Sequence, residues 1–180
     1  MGEIDYLYGI WDTLNHPELE VEDTAVAVIR FKNGGIGSIL VSNSQNPALY
    51  GKVHIHGENG ASIGVQTDGG AMFIAGVSNI TEPPVNDIWT IRGEENKLDM
   101  WIKEDSEHFN TIDNMYYYHR EQIADFLRAI LDDREPIVTG IDGRRTVELF
   151  TAIYRSHRDK SPVYFPLKPE FGDDFDGRLI

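Results

Sequence analysis

Cysteine is absent from the 180 residues, which excludes disulfide staples and thiolate chemistry and fits a reducing cytoplasm. Basic residues are scarce: 16 Lys and Arg face 30 Asp and Glu, a formal charge of −14. Nucleic-acid binding needs a basic stripe and an anionic membrane surface needs clustered cations, so neither is an expected partner. No apolar run approaches the roughly 18 residues of a membrane span. The opening MGEIDYLYGIWD lacks the basic n-region of a secretory signal. Internal repeats and low-complexity tracts are missing too. What is present is a chain 41% hydrophobic and 11% aromatic, of one-domain size and able to bury its own core. The expectation is a soluble, acidic, cytoplasmic globular protein.

The first half has the pattern of strands. Thr24 to Phe31 is rich in β-branched and aromatic residues, and Asn33-Gly34-Gly35 separates it from Ile36 to Asn43, which predicts a hairpin. Lys52 to His56 and Ala61 to Gln66 flank a second turn, Gly57-Glu58-Asn59-Gly60. Ala71 to Ala75 and Glu3 to Leu14 complete the set, with Tyr6, Tyr8 and Ile10 on one side of the latter. Gly76 to Gly93, interrupted by Pro83-Pro84, is read as an irregular functional or interface loop.

Helical spacing follows. Glu94 to Phe109 carries Leu98, Trp101 and Ile102 on a stripe. Asn114 to Leu131 carries Tyr116, Ile123, Phe126, Leu127, Ile130 and Leu131, and Asp142 to His157 carries Val147, Phe150, Thr151 and Tyr154, with Asp142 as N-cap. A short strand, Pro162 to Leu167, precedes a loose acidic tail. Strands first and helices later predict an α+β fold: an open, mostly antiparallel sheet with helices on one face, packed through Phe126, Ile130, Phe150 and Tyr154.

Chemical motifs are sparse. Gly34-Gly35-Ile36-Gly37 fails as a dinucleotide loop because position 40 is Leu and a strand follows, so a hairpin turn explains it. His54 and His56 share one sheet face and could start a metal site, but no H-E-x-x-H or cysteine set accompanies them; no metal is assigned. Asp173 to Gly177 lacks the first and twelfth ligands of a calcium loop. Glu22-Asp23 and Asp132-Asp133 have no spacing that demands acid–base chemistry. Tyr116-Tyr117-Tyr118-His119 opens a helix with hydroxyls that suit a polyol, although packing alone would explain the rings.

Taken together, several segments resemble the glucose–fructose oxidoreductase/inositol dehydrogenase family, Gfo/Idh/MocA. They are Val21-Glu22-Asp23-Thr24-Ala25 with Phe31 to Gly35, Val53 to Gly57 with Asn59 to Ala61, and His119 to Phe126. Pro136 to Gly140, Asp142 to Glu148, Ala152 to Ser156 and Pro162 to Leu167 continue the order. The resemblance covers about residues 3 to 168, which defines one C-terminal α+β domain over 1–168 and an acidic tail over 169–180.

The resemblance implies the substrate-binding and oligomerisation half of a nicotinamide-dependent sugar or polyol dehydrogenase. The Rossmann fingerprint, the Glu-Lys-Pro lysine and the Asp…His pair of that family have no counterpart here, so no catalytic or cofactor-binding residue is assigned. NAD or NADP is implied for the full-length enzyme, supplied by a Rossmann domain, and none is expected to bind this chain. The substrate wall implied is Asn43, Ser44 and Gln45 after a strand, Trp89 in the loop, and Tyr117 and His119 at a helix start. The open sheet face implies a homodimer or tetramer, with Val41, His54, His56 and Phe73 placed near it. A free-standing binding or scaffold domain is the alternative, and a small metalloenzyme built on His54 and His56 a third reading.

Overall fold

The computed structural model describes residues 1–45, 51–67 and 85–171. Its strands are β1 (Ile4–Asp12), β2 (Thr24–Phe31), β3 (Ile36–Ser42), β4 (Gly51–His56), β5 (Ser62–Thr67), β6 (Val85–Trp89) and β7 (Val163–Tyr164). The helices are α1 (Lys97–Phe109), α2 (Asn114–Leu131) and α3 (Gly140–Asp159). All strand pairs are antiparallel, so the α+β class expected from the sequence is the class observed. The chain divides into two compact units, Met1–Ser44 with Ile137–Ile180, and Gln45–Pro136.

The first unit holds a four-stranded sheet in the order β3-β2-β1-β7. Alternation along β2 sends Ala25, Ala27 and Ile29 inward and Val26 and Val28 outward. The inward row meets Leu7 on β1 and Ala152 and Ile153 on α3 to make the core. Leu7 is fully buried, a burial that contributes about 2 kcal/mol. Small residues let α3 lie close: a Cβ added to Gly9 would stand 3.0 Å from Ile153 Cγ2. The buried residues of α3 are Ala152, Ile153, Arg155 and Ser156, with Leu149 packed beside the core. Phe150 is 53% exposed, not packed as expected, because the close approach selects small side chains. Tyr154 does pack, edge-on against Trp11.

β7 pairs only with Tyr6 and Leu7, which leaves the outer edge of β1 open beyond them. Helix α3 closes it. Gly9 N–H donates to Ser156 Oγ at 2.9 Å, and Trp11 N–H donates to His157 Nδ1 at 3.2 Å. Two amides that a sheet edge would leave bare thus find side-chain acceptors.

Several boundaries differ from the sequence reading for local reasons. The N-cap of α3 is Thr139, not Asp142, and the two form a capping box: Thr139 Oγ1 accepts from Asp142 N, and Asp142 Oδ2 accepts from Thr139 N. The Thr139 hydroxyl and amide hold the Asp142 carboxyl below its ordinary pKa. Prolines 162 and 166 flank the last strand, which shortens to Val163–Tyr164. The start of the tail is tied down, since Glu170 accepts from Arg158 at 2.8 Å and lies 3.6 Å from the buried Arg155. Asp173 to Gly177 and Ala71 to Ala75, with Phe73, lie outside the described residues.

The second unit has the sheet order β4-β5-β6, with α1 packed on β6. Both predicted turns, β2–β3 and β4–β5, are built alike. Gly34 and Gly60 take positive φ, 91° and 82°, while Asn33 and Asn59 side chains accept from the amides two residues on. Helix α2 keeps the bounds expected, but Phe126 and Ile130 stay 55% and 63% exposed and do not pack as anticipated. β6 falls where an irregular loop was expected; Pro83-Pro84 stops short of it, and its polar Asn86-Asp87 pair hides the strand pattern.

Burial is the main force lowering the His157 pKa, with Lys160 adding to it and Asp12 opposing. The folded state therefore disfavours the imidazolium, and Nδ1 must stay unprotonated to accept from Trp11. Stability from this group is complete above its unfolded pKa of 6.5 and is lost as pH falls below it. His157→Asn, whose Oδ1 can take the place of Nδ1 without titrating, should lower the melting temperature at neutral pH. It should also flatten its decline between about pH 7 and pH 5. Thermal unfolding across that range checks this.

Candidate functional site

The exit of β3 is anchored by the segment that opens β2. Thr24 Oγ1 and Ser42 Oγ lie 2.9 Å apart, Asn43 N–H donates to the Asp23 carbonyl at 2.9 Å, and Ser44 N–H donates to Ser42 Oγ at 3.1 Å. Asp23 is 3% exposed, and its Oδ2 accepts from Asn15 N at 2.7 Å and His16 N at 3.1 Å. Burial pushes its carboxyl pKa up, but the amides of Leu14, Asn15 and His16 and the Ser44 hydroxyl more than offset that, holding it well below the carboxylate range. Asp23 Oδ1 and Ser44 Oγ are both buried, and neither has a well-formed hydrogen bond among the described residues. Next to Asp23, Glu22 accepts a short hydrogen bond from the Tyr154 hydroxyl on α3. Asn43 and Gln45 are exposed and Ser44 is half-buried.

The remaining candidates lie in the second unit. Trp89 ends β6 rather than occupying a loop. Its indole N–H donates to Glu94 Oε2 at 3.0 Å, and its ring lies 5.9 Å from that of Trp101. Glu94 also pairs with Lys97, and the Lys97 and Trp89 donors hold its carboxyl below the ordinary pKa, against burial. Trp89 thus offers a ring face, with its N–H already engaged. Tyr117 and His119 sit in the first turns of α2. The Tyr117 ring packs 6.1 Å from His108, with the Arg120 guanidinium 5.4 Å from its centroid. Trp101 and His108 are seven residues apart on α1, about 10 Å along the axis. Trp89 and Tyr117 therefore meet opposite ends of that helix. Trp101, read only as a stripe residue, has a buried indole N–H with no partner among the described residues; nothing in the sequence pattern separates it from ordinary core.

His54 and His56 take protein partners. His54 Nε2 lies 2.8 Å from Asp87 Oδ2, with Lys52 Nζ 3.7 Å from the same oxygen, and His56 Nδ1 lies 2.7 Å from Ser62 Oγ. Among the described residues no group of three or more His, Cys, Asp or Glu could hold a metal ion. The His54–Asp87 bridge passes over Gly64, where an added Cβ would stand 2.5 Å from both side chains. Neither histidine lies on the four-stranded sheet. The open face of that sheet carries Tyr8, Ile10, Val26, Val28 and Leu40, whereas Val41 pairs with Ala25 and shares the helix side.

A groove of about 590 Å3 in the first unit is lined by Lys32, Arg145, Glu3, Glu148 and Phe165 among others. Lys32 and Glu3 pair at 2.7 Å and Arg145 faces Asp142 at 3.4 Å, so its charges are largely compensated. None of the six sequence candidates lines it. No helix among the described residues is long and apolar enough to cross a membrane.

A family model described as the oxidoreductase family, C-terminal alpha/beta domain, GFO_IDH_MocA_C, matches residues 1–165. The chain belongs to this family. Among curated proteins no significant relative is found. Among solved structures, this Gfo/Idh/MocA C-terminal domain is similar to the WlbA dehydrogenase from Bordetella pertussis in complex with NADH and UDP-GlcNAcA. That match has 26% identity and a TM-score of 0.70, covering 93% of this chain and 44% of the other. GenD2 from gentamicin A biosynthesis, in complex with NAD, matches at 25% identity and TM-score 0.57 over 91% of this chain and 42% of its own. Levoglucosan dehydrogenase, in complex with NADH and L-sorbose, shares the fold at 19% identity and TM-score 0.60, over 93% and 46%. The chain spans less than half the length of these structures.

In this Gfo/Idh/MocA domain, Gly64→Ala should separate His54 from Asp87 at a stability cost of about 1 kcal/mol for this half-buried pair. Imidazole 15N shifts of His54 should move toward those of Asp87→Asn, and unchanged shifts would show that the bridge tolerates a Cβ.

Proposed function

We propose that residues 1–168 form the substrate-binding and oligomerisation domain of a nicotinamide-dependent sugar or polyol dehydrogenase. A nucleotide-binding Rossmann domain supplies hydride transfer in this reading. The family match over residues 1–165 carries it, together with the 44% share of a relative solved with NADH and UDP-GlcNAcA. The L-sorbose complex of a more distant relative favours the same substrate class. NAD or NADP belongs to the full-length enzyme. Gly34 and Gly60 turn between strands; Gly93 precedes α1 with its N–H donated to Glu95 Oε1, and Gly140 opens α3, whose first turn is already capped by Thr139 and Asp142. A cytoplasmic location fits the acidic, cysteine-free composition.

Asn43, Ser44 and Gln45 present amides and a hydroxyl that donate and accept to sugar hydroxyls. Trp89 and Tyr117 offer ring faces for C–H patches, and His119 adds a polar edge at the start of α2. None has to ionise, so the role is recognition, without proton transfer. The open sheet face, with Val28 55% and Leu40 64% exposed, is the surface proposed for a homodimer or tetramer.

Calorimetry of the chain should detect weak binding of UDP-GlcNAcA or a member of a sugar and polyol panel, and none of NAD or NADP. Asn43→Ala and Trp89→Ala should each weaken sugar binding roughly tenfold, the loss of one well-made contact. Tight nicotinamide binding, or sugar binding indifferent to both substitutions, would contradict the reading.

A further inference from the structure

Each side chain of the Glu22-Asp23-Thr24 run ties a different element. Glu22 holds the Tyr154 hydroxyl of α3, Asp23 gathers the amides of Asn15 and His16, and Thr24 meets Ser42 at the end of β3. The Asp23 carbonyl also takes the Asn43 amide. Asp23 is therefore the point at which the β1–β2 loop and the exit of β3 are joined. It is nearly fully buried, and among the described residues its second carboxylate oxygen lacks a well-formed hydrogen bond, with the buried Ser44 hydroxyl as its neighbouring donor. A buried carboxylate oxygen in that state strongly favours any donor held near it, and Ser44 is the donor that the fold supplies.

We propose that Asp23 is a positioning residue that fixes Asn43 and Ser44 at the exit of β3 through its carbonyl and the Ser44 hydroxyl, shaping the sugar-recognition wall without touching substrate. The proposal rests on reading Asn43 to Gln45 as that wall. Its geometry explains why a charged side chain is kept in a place where burial disfavours charge. Neutral Asn would be a weaker acceptor for the loop amides and the Ser44 hydroxyl, and the carbonyl that takes the Asn43 amide, though still present, would lose the loop anchor that fixes its position.

Amide hydrogen exchange on the full chain tests it, comparing Asp23→Asn with Ile29→Val, a core variant on the same strand, at temperatures giving equal distance from each melting point. Asn43 and Ser44 amides should exchange at least tenfold faster in Asp23→Asn than in the control. Ser44→Ala should speed exchange at the β3 exit while sparing Asn15 and His16. Equal exchange at Asn43 and Ser44 in Asp23→Asn and the control would overturn the proposal. Calorimetry with UDP-GlcNAcA or the panel sugar separates the two claims. Loss of binding in Asn43→Ala but not in Asp23→Asn overturns the positioning role. Accelerated exchange with binding unchanged even in Asn43→Ala supports the clamp and removes the wall reading.

Discussion

The first unit depends on how the outer edge of β1 is finished. A strand of nine residues with a two-residue neighbour leaves amides facing nothing, and Ser156 and His157 supply the acceptors. That arrangement demands that α3 lie within a side chain's reach of β1, which in turn demands glycine at position 9 and alanine at 152. Larger residues at either position would lift the helix and break two hydrogen bonds together with the core beneath. The same closeness turns Phe150 and Val147 outward. On the opposite sheet face Ile10, Val26, Val28 and Leu40 are exposed among the described residues.

Legibility in the sequence followed the regularity of the pattern. β2 and α2 were read with their observed bounds because strict alternation in TAVAVIRF and helical spacing through Ile123, Phe126 and Ile130 leave one period to choose. β6 was not legible, because five residues with Asn86-Asp87 in the middle resemble a loop after Pro83-Pro84. The buried face of α3 was misplaced for another reason. Periodicity ranks side chains by size, whereas the sheet selected Ala152 and Ser156 for their smallness. The N-cap of α3 was read three residues late, since Thr139 and Asp142 are both good N-caps and only backbone geometry separates them.

The candidate wall was legible as residue types but not as a network. Asn43 to Gln45 were visible as polar residues after a strand, while the partners that anchor this strand exit, Asp23 to Asn43 and Thr24 to Ser42, declare themselves only through the antiparallel register. Trp89 was placed by its aromatic character, yet its bond to Glu94 depends on a strand end that the sequence concealed. Glycine 64 is similar: its sole mark is the absence of a side chain, and its meaning is the His54–Asp87 bridge above it.

The proposal that most depends on this architecture is that the open face of Tyr8, Ile10, Val26, Val28 and Leu40 is where copies of this chain meet. Sedimentation velocity over a micromolar concentration series tests it directly. The account predicts a dimer or tetramer that Val28→Lys with Leu40→Glu converts to a folded monomer of unchanged circular dichroism. A wild-type chain that sediments as a monomer throughout the series would contradict it.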